Sequence, residues 1–305
     1  LQEKVESGEL PAVEQRLPKT PYVVKPNDRI GDYGGTLNAA TTRPNSWGED
    51  IMLMDVFNSF VKPNKEANEI IPHFAKDVEV SDDMTTFTFY LREGVRWSDG
   101  NPFDMEDIMF WYEDVLQNEE LTPIIGDVFK ANGEVMDLTK IDNYTFEIEF
   151  AAPQPYFLNS LVHQVAWNFL YPKHYLKQFH PKYADEDKLV EMAKSEGYDN
   201  WYELFGQRAT QNANAPMVMG LPTLTPYKLV SKSSSRRVYE RNPYYWKVDS
   251  EGNQLPYIDR IETEVVSDRE VLNGMIMSGE IDFAGFETDI RNYPMYKKYE
   301  DNGGY

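Results

Sequence analysis

The stretch Leu91-Arg92-Glu93-Gly94-Val95-Arg96-Trp97-Ser98-Asp99-Gly100-Asn101-Pro102-Phe103-Asp104-Met105-Glu106-Asp107 changes its structural period within a few residues. It begins as the end of a strand. Phe87, Phe89 and Leu91 fall on one face and Thr86, Thr88 and Tyr90 on the other, the period of two of a half-buried strand. Glu93-Gly94 and Ser98-Asp99-Gly100 are turn signals, and Trp97 between them is placed to wedge a hairpin onto a core. Asp104 then caps a helix, with Asp107 three residues on as in a capping box. Ile108, Tyr112 and Val115 form the buried stripe of that helix.

Toward the C terminus, Tyr144, Phe146, Ile148 and Phe150 alternate with Thr145, Glu147 and Glu149, until Pro153 and Pro155 stop the strand. Residues 157–161 predict a short helix, Pro172 opens another, and residues 182–208 are mainly helical. Residues 211–226, with Pro216, Pro222 and Pro226, read as a return connection. Residues 227–230 and 237–241 read as a hairpin. Ile261, Thr263 and Val265 mark a strand face, residues 269–277 a helix ending on a left-handed Gly279, and residues 281–286 a further strand. Toward the N terminus, residues 36–41 predict the first strand. Ile51, Met54, Phe57 and Val61 predict a helix ended by Pro63. Residues 1–29, broken by four prolines, read as an extended arm without its own core. Strands and helices mix without strict alternation, so the fold class is α/β or α+β with more than one lobe.

Composition excludes several functions. Of 305 residues, 30 are Lys or Arg and 51 are Asp or Glu, a net charge of -21 that disfavours nucleic acid and anionic membrane surfaces. No segment approaches the length of apolar chain that a membrane helix needs. There is no cysteine, which removes thiol catalysis, disulfides and thiolate metal sites. Nucleotide-binding glycine loops, the nucleophile elbow and the zincin motif are absent. His73, His163, His174 and His180 are scattered without metal-site spacing. Asp249-x-Glu251-x-Asn253 resembles the start of a calcium loop. Gln254 stands where such a loop needs glycine, so the segment reads as a polar hairpin loop. The sequence therefore offers no catalytic residue, no cofactor site and no metal site. Aromatic residues reach 14%, which suits either a core or an amphipathic pocket.

The opening stretch resembles the signature of the family 5 extracellular solute-binding proteins, the peptide-, nickel- and oligosaccharide-binding receptors of ABC importers. Tyr33-Gly34-Gly35-Thr36-Leu37 resembles that family's first strand. Arg241-Asn242-Pro243-Tyr244-Tyr245-Trp246, Leu255-Pro256-Tyr257-Ile258-Asp259-Arg260-Ile261 and Met277-Ser278-Gly279-Glu280-Ile281-Asp282 follow in the family's order. The N-terminal arm and the stretch around Tyr198-Asp199-Asn200-Trp201 are similar to an oligosaccharide-binding subgroup.

The resemblance implies the first lobe of a two-lobed periplasmic-binding-protein-like fold that encloses ligand between its lobes. It divides the chain into an arm (1–30), a mixed-sheet part (31–47 and 209–286), an inserted subdomain (48–208) and a crossover with the start of a second lobe (287–305). The chain stops where that second lobe is expected to begin, so a fragment is expected. The implied function is capture of an oligosaccharide or short peptide for the ABC permease subunits in the membrane. The implied protein is an extracytoplasmic monomer in the periplasm or at the cell surface, without enzymatic activity, and whether its full-length form is lipid-anchored stays open. Ligand is expected to meet Trp47, Trp167 and Asn168 on loops, with Glu287 and Thr288 at the crossover. Two other readings remain open, a secreted glycoside-active enzyme and a peptide-binding chaperone-like protein.

Overall fold

The computed structural model describes residues 1–46, 48–54, 59–162, 169–209 and 217–305. The N-terminal arm is more than an extended tail. It contains helices α1 (Gln2–Glu6) and α2 (Val13–Arg16) and strand β1 (Tyr22–Val24). Arg16 is only 4% exposed, and its guanidinium donates to Gln254 Oε1 at 2.7 Å and to the carbonyls of Pro11 and Pro243. The segment expected to be extended thus carries two short helices and is held to the rest of the chain by Arg16 and by the pairing of β1. The prolines break long elements, but one buried cation and one strand pairing still strap the segment down.

Strand β2 (Thr36–Thr41) forms as expected and leads to α3 (Glu49–Leu53). That helix is shorter than the apolar spacing predicted. Val61 belongs to β3 (Val61–Pro63), which pairs antiparallel with β4 (Ile70–Pro72), so strand pleating rather than a helix face buries it. Phe57 lies outside the described residues.

Four strands, β5 (Ala75–Val80), β6 (Thr86–Leu91), β9 (Asp137–Lys140) and β10 (Thr145–Glu149), make an antiparallel sheet in the order β5-β6-β10-β9. A small hairpin of β7 (Lys130–Ala131) and β8 (Glu134–Val135) precedes β9. The period-two reading of β6 holds, with Phe87, Phe89 and Leu91 buried. Phe89 stands opposite Phe146 in register, and their rings stack at 4.9 Å. Trp97 is fully buried, and its Nε1 donates to Asp107 Oδ2 at 2.9 Å. Asp107 also closes the capping box at the start of α4 (Met105–Met109). That helix widens into a π-helical stretch, Phe110–Leu116, which buries Phe110, Trp111, Tyr112, Val115 and Leu116 against the sheet. Helices α5 (Phe157–Val162), α6 (Lys173–Leu176), α7 (Glu186–Ser195) and α8 (Trp201–Arg208) complete this core.

The chain returns in β11 (Tyr227–Lys232) and β12 (Arg236–Arg241), the expected hairpin, followed by β13 (Lys247–Asp249) and β14 (Arg260–Val265). These build a mixed sheet in the order β11-β12-β14-β2, in which β14 and β2 run parallel. Beside it β1 pairs in parallel with β13. The polar loop after β13 is closed on itself. Asp249 accepts from the backbone N–H groups of Glu251 and Asn253 and from the Tyr257 hydroxyl, which leaves no calcium-type geometry.

Helix α9 (Arg269–Ser278) is capped by Asp268 and ends on Gly279 at φ 73°. Helix α10 (Tyr293–Gly303) packs against it. The strand expected at 281–286 is absent. Asp282 exchanges bonds with Asn38 on β2, donating its N–H to the Asn38 carbonyl at 2.8 Å and accepting the Asn38 N–H on its carboxylate at 2.7 Å, but no ladder follows. Phe283 and Phe286 are instead exposed.

Candidate ligand-binding face

The loop that follows β2 carries Trp47 and is built from beneath by buried charge. Arg237 on β12 and Asp50 on α3 are both fully buried, with Nε 3.0 Å from Oδ2. The Tyr239 hydroxyl donates to the same carboxylate oxygen at 2.8 Å. Burial pushes the Asp50 carboxyl above its ordinary value, opposed by the Arg237 charge and the Tyr239 donor. The guanidinium then donates to the carbonyls of Ser46 at 3.3 Å and Arg43 at 3.1 Å. One cation thus pairs with an acid below and donates to two loop carbonyls above. Gly48 is required here by close approach, since a Cβ would sit 2.1 Å from Thr41 Oγ1.

Glu287 completes the support from the far end of the chain. Its carboxylate accepts from the hydroxyls of Thr41 and Thr42 and from the Thr42 backbone N–H at 2.9 Å. Burial raises its pKa, but these donors outweigh it and hold the carboxyl below its usual range. Arg43 lies over the Phe286 ring at 4.9 Å, a second tie between this loop and the segment that follows α9.

A cavity of about 700 Å³ opens between β3, β13 and the 255–257 turn. Its wall is mostly apolar, with Val61, Tyr227, Tyr245 and Leu255, and it carries Lys62, His73 and Lys247 as polar groups. Lys247 Nζ lies 2.7 Å from His73 Nε2. An ammonium only donates, so Nε2 accepts and the ring carries its proton on Nδ1, which faces the Ser59 carbonyl at 3.1 Å. Lys247 also sits 4.7 Å over Trp246. Size, apolar wall and few convergent polar groups are the attributes of a small-molecule site. Val162 lines it and immediately precedes the segment holding Trp167 and Asn168.

Trp47, Trp167 and Asn168 themselves lie outside the described residues. Glu287 is 2% exposed and turned into the protein, where it holds the 41–42 backbone. The Thr288 hydroxyl donates to the Gly285 carbonyl at 2.7 Å. Sequence reasoning missed Asp50, Arg237, His73 and Lys247. Inward alternation of Arg237, Tyr239 and Arg241 along β12 was the available signal. Among the described residues no cluster of His, Asp and Glu fits a metal ion.

The model of the bacterial extracellular solute-binding proteins, family 5 Middle, matches residues 69–303. The chain belongs to this family. As a family 5 solute-binding protein it is 32% identical, over 91% of its length, to the periplasmic alpha-galactoside-binding protein of Rhizobium meliloti, and covers 40% of that relative. It is 27% identical over 71% of its length to the periplasmic oligopeptide-binding protein OppA of Salmonella typhimurium, covering 35% of it. Among solved structures, an oligopeptide-binding protein OppA superposes on all of the chain with a TM-score of 0.87 and 35% identity. The periplasmic binding protein MelB of Agrobacterium fabrum C58, in complex with stachyose, superposes on 98% with a TM-score of 0.76 and 29% identity. The family 5 chain spans 47% and 44% of these two structures, under half of each. The mixed α/β architecture is that of the periplasmic binding proteins, as the sequence implied.

Proposed function

We propose that this chain is the first-lobe portion of an extracytoplasmic receptor that captures an oligosaccharide, of the α-galactoside type, for an ABC importer. The observation that carries the reading is the similarity to an alpha-galactoside-binding protein along nearly the whole chain. A neutral ligand also suits a net charge of -21. Residues 31–47 and 209–286 then form the mixed-sheet part of the lobe, residues 48–208 its inserted subdomain, and residues 287–305 the crossover. The 41–48 loop and the cavity beside Lys247 would face the ligand, with Trp47, Trp167 and Asn168 supplying stacking and hydrogen bonds. The permease subunits in the membrane would be the partner, and no chemistry would be performed.

A second reading takes a short peptide as ligand. It is favoured by the closer superposition on an oligopeptide-binding protein. A thermal-shift panel of raffinose, stachyose, tri- to pentapeptides and nickel separates the two, since a ligand that binds only the folded state raises the midpoint with the logarithm of its excess over Kd. A shift confined to the sugars supports the first reading, and a shift confined to peptides supports the second.

A further inference from the structure

Three Asn-Gly pairs occur in the chain, Asn132-Gly133, Asn273-Gly274 and Asn302-Gly303. In such a pair the side-chain amide carbon lies within reach of the following backbone nitrogen, and glycine puts no Cβ beside that nitrogen. The fold treats the three pairs differently.

Asn132-Gly133 is the two-residue turn between β7 and β8, where Ala131 faces Glu134. Both residues have positive φ, 52° and 83°, as a tight hairpin turn of this composition needs. Both are exposed. No heavy atom lies within 4 Å of the place where a Gly133 Cβ would stand, so the nitrogen is open to approach. Among the described residues neither the Asn132 amide nor the Gly133 N–H is held by a hydrogen bond.

Asn273-Gly274 lies inside α9. Asn273 is 5% exposed, and its Oδ1 accepts from the Tyr296 hydroxyl at 2.6 Å. A helical side chain leans toward the N terminus, away from the following N–H, and that N–H is committed to the helix ladder. Asn302-Gly303 closes α10, with the Asn302 amide donating to the Met277 carbonyl at 3.0 Å. Both of these pairs must open a helix before the amide and the nitrogen can meet.

We propose that Asn132 is a site of self-modification, where the main chain displaces the side-chain amide and leaves an isoaspartyl turn. The Gly133 nitrogen gives its proton to solvent base and attacks Asn132 Cγ. The Cγ–N bond forms, the Cγ–Nδ2 bond breaks, and Nδ2 takes up a proton and leaves as ammonia. Water then opens the five-membered succinimide at either carbonyl. One opening gives aspartate. The other gives isoaspartate, in which the main chain runs through the former side chain and is one carbon longer. One amide and one water thus become one carboxylic acid and one ammonia. The new carboxylate stands beside Glu134, and the extra carbon falls in the turn that sets the Ala131–Glu134 pairing.

The test is storage of the 305-residue chain in warm, mildly alkaline buffer, followed by peptide mapping. Mass spectrometry reads the replacement of NH2 by OH at each of the three asparagines, and fragmentation separates isoaspartate from aspartate. Conversion at Asn132 is expected to exceed that at Asn273 by about tenfold or more, because the buried pair needs local opening of α9 first. Asn302 is expected to convert more slowly than Asn132, and isoaspartate is expected among the products at 132. The variant Asn132→Gly keeps the turn chemistry as Gly-Gly and should lose the main acidic species seen by ion exchange. An Asn132 that stays intact would overturn the proposal, as would conversion at Asn273 or Asn302 that equals or outpaces it. Aspartate at 132 without isoaspartate, or an acidic species undiminished in Asn132→Gly, would overturn it too.

Discussion

Glu287 accepts a hydrogen bond from the Thr42 backbone N–H at 2.9 Å, across 245 residues of sequence. The end of β2 and the segment that follows α9 are thereby tied together. Glu287→Gln keeps the shape but turns an amide toward donors, at a cost of about 1–3 kcal/mol. A urea unfolding midpoint measures it. Because the folded pKa is depressed, this stabilisation is present above the ordinary carboxylate value and is lost as pH falls through the folded one. The gap between wild type and Glu287→Gln should therefore narrow on acidification.

The Arg237–Asp50 pair makes a different demand. Removing Arg237 alone leaves a buried carboxylate without its counter-charge and takes the guanidinium donor from two loop carbonyls, so Arg237→Met should destabilise by about 3–5 kcal/mol. Adding Asp50→Leu should recover part of that loss, because the uncompensated charge is gone. The loop carbonyls stay unserved in both variants. Hydrogen exchange at residues 42–46 should be faster in each than in wild type, whatever the global stability.

Asp107 carries a pH signature. Burial pushes its carboxyl up to about 7, with the Trp97 indole donor acting in the opposite direction. A raised folded value means that the folded state holds a proton the unfolded state has released. This stabilisation is complete below pH about 4 and is lost as pH rises toward about 7, with a ceiling of about 4 kcal/mol. Growing self-repulsion of an acidic chain acts in the same direction. The decisive quantity is thus the difference in slope between wild type and Asp107→Asn in unfolding free energies from pH 4 to 8. The variant should show the shallower fall.

Gly279 ends α9 at φ 73°, and a Cβ there would lie 2.7 Å from the Gly303 carbonyl oxygen of α10. Gly279→Ala meets both backbone strain and a backbone clash. It should cost at least about 1–2 kcal/mol and lower the thermal midpoint.

Elements governed by local pattern were legible in the sequence. The alternation of Phe87, Phe89 and Leu91, the Asp104–Asp107 capping box and the Gly279 cap each follow from neighbours within a few residues, and each is present. Elements decided by distant partners were not. Val61 looked helical because its spacing from Ile51 and Met54 fits, yet pairing with Pro72 makes it a strand. Residues 281–286 looked like a strand, but Asp282 meets Asn38 with no strand ladder following. The partners of Arg16 and Arg237, Gln254 and Asp50, are far away in sequence, so these pairings had no local signal. The candidate site belongs to the second group. Its supports are buried polar contacts between remote segments, for which one sequence holds no local signal beyond the inward alternation on β12.

The most direct test of the receptor account is ligand-observed saturation-transfer NMR on the 305-residue chain. Stachyose and trialanine would be added in separate tubes, and each tube followed for products over a day. The account predicts saturation transfer to stachyose, weaker or none to trialanine, and both ligands intact at the end. Steady accumulation of galactose or shorter sugars would contradict it, because the chain would then be an enzyme. Absence of transfer to either ligand would contradict the assignment of its ligand class.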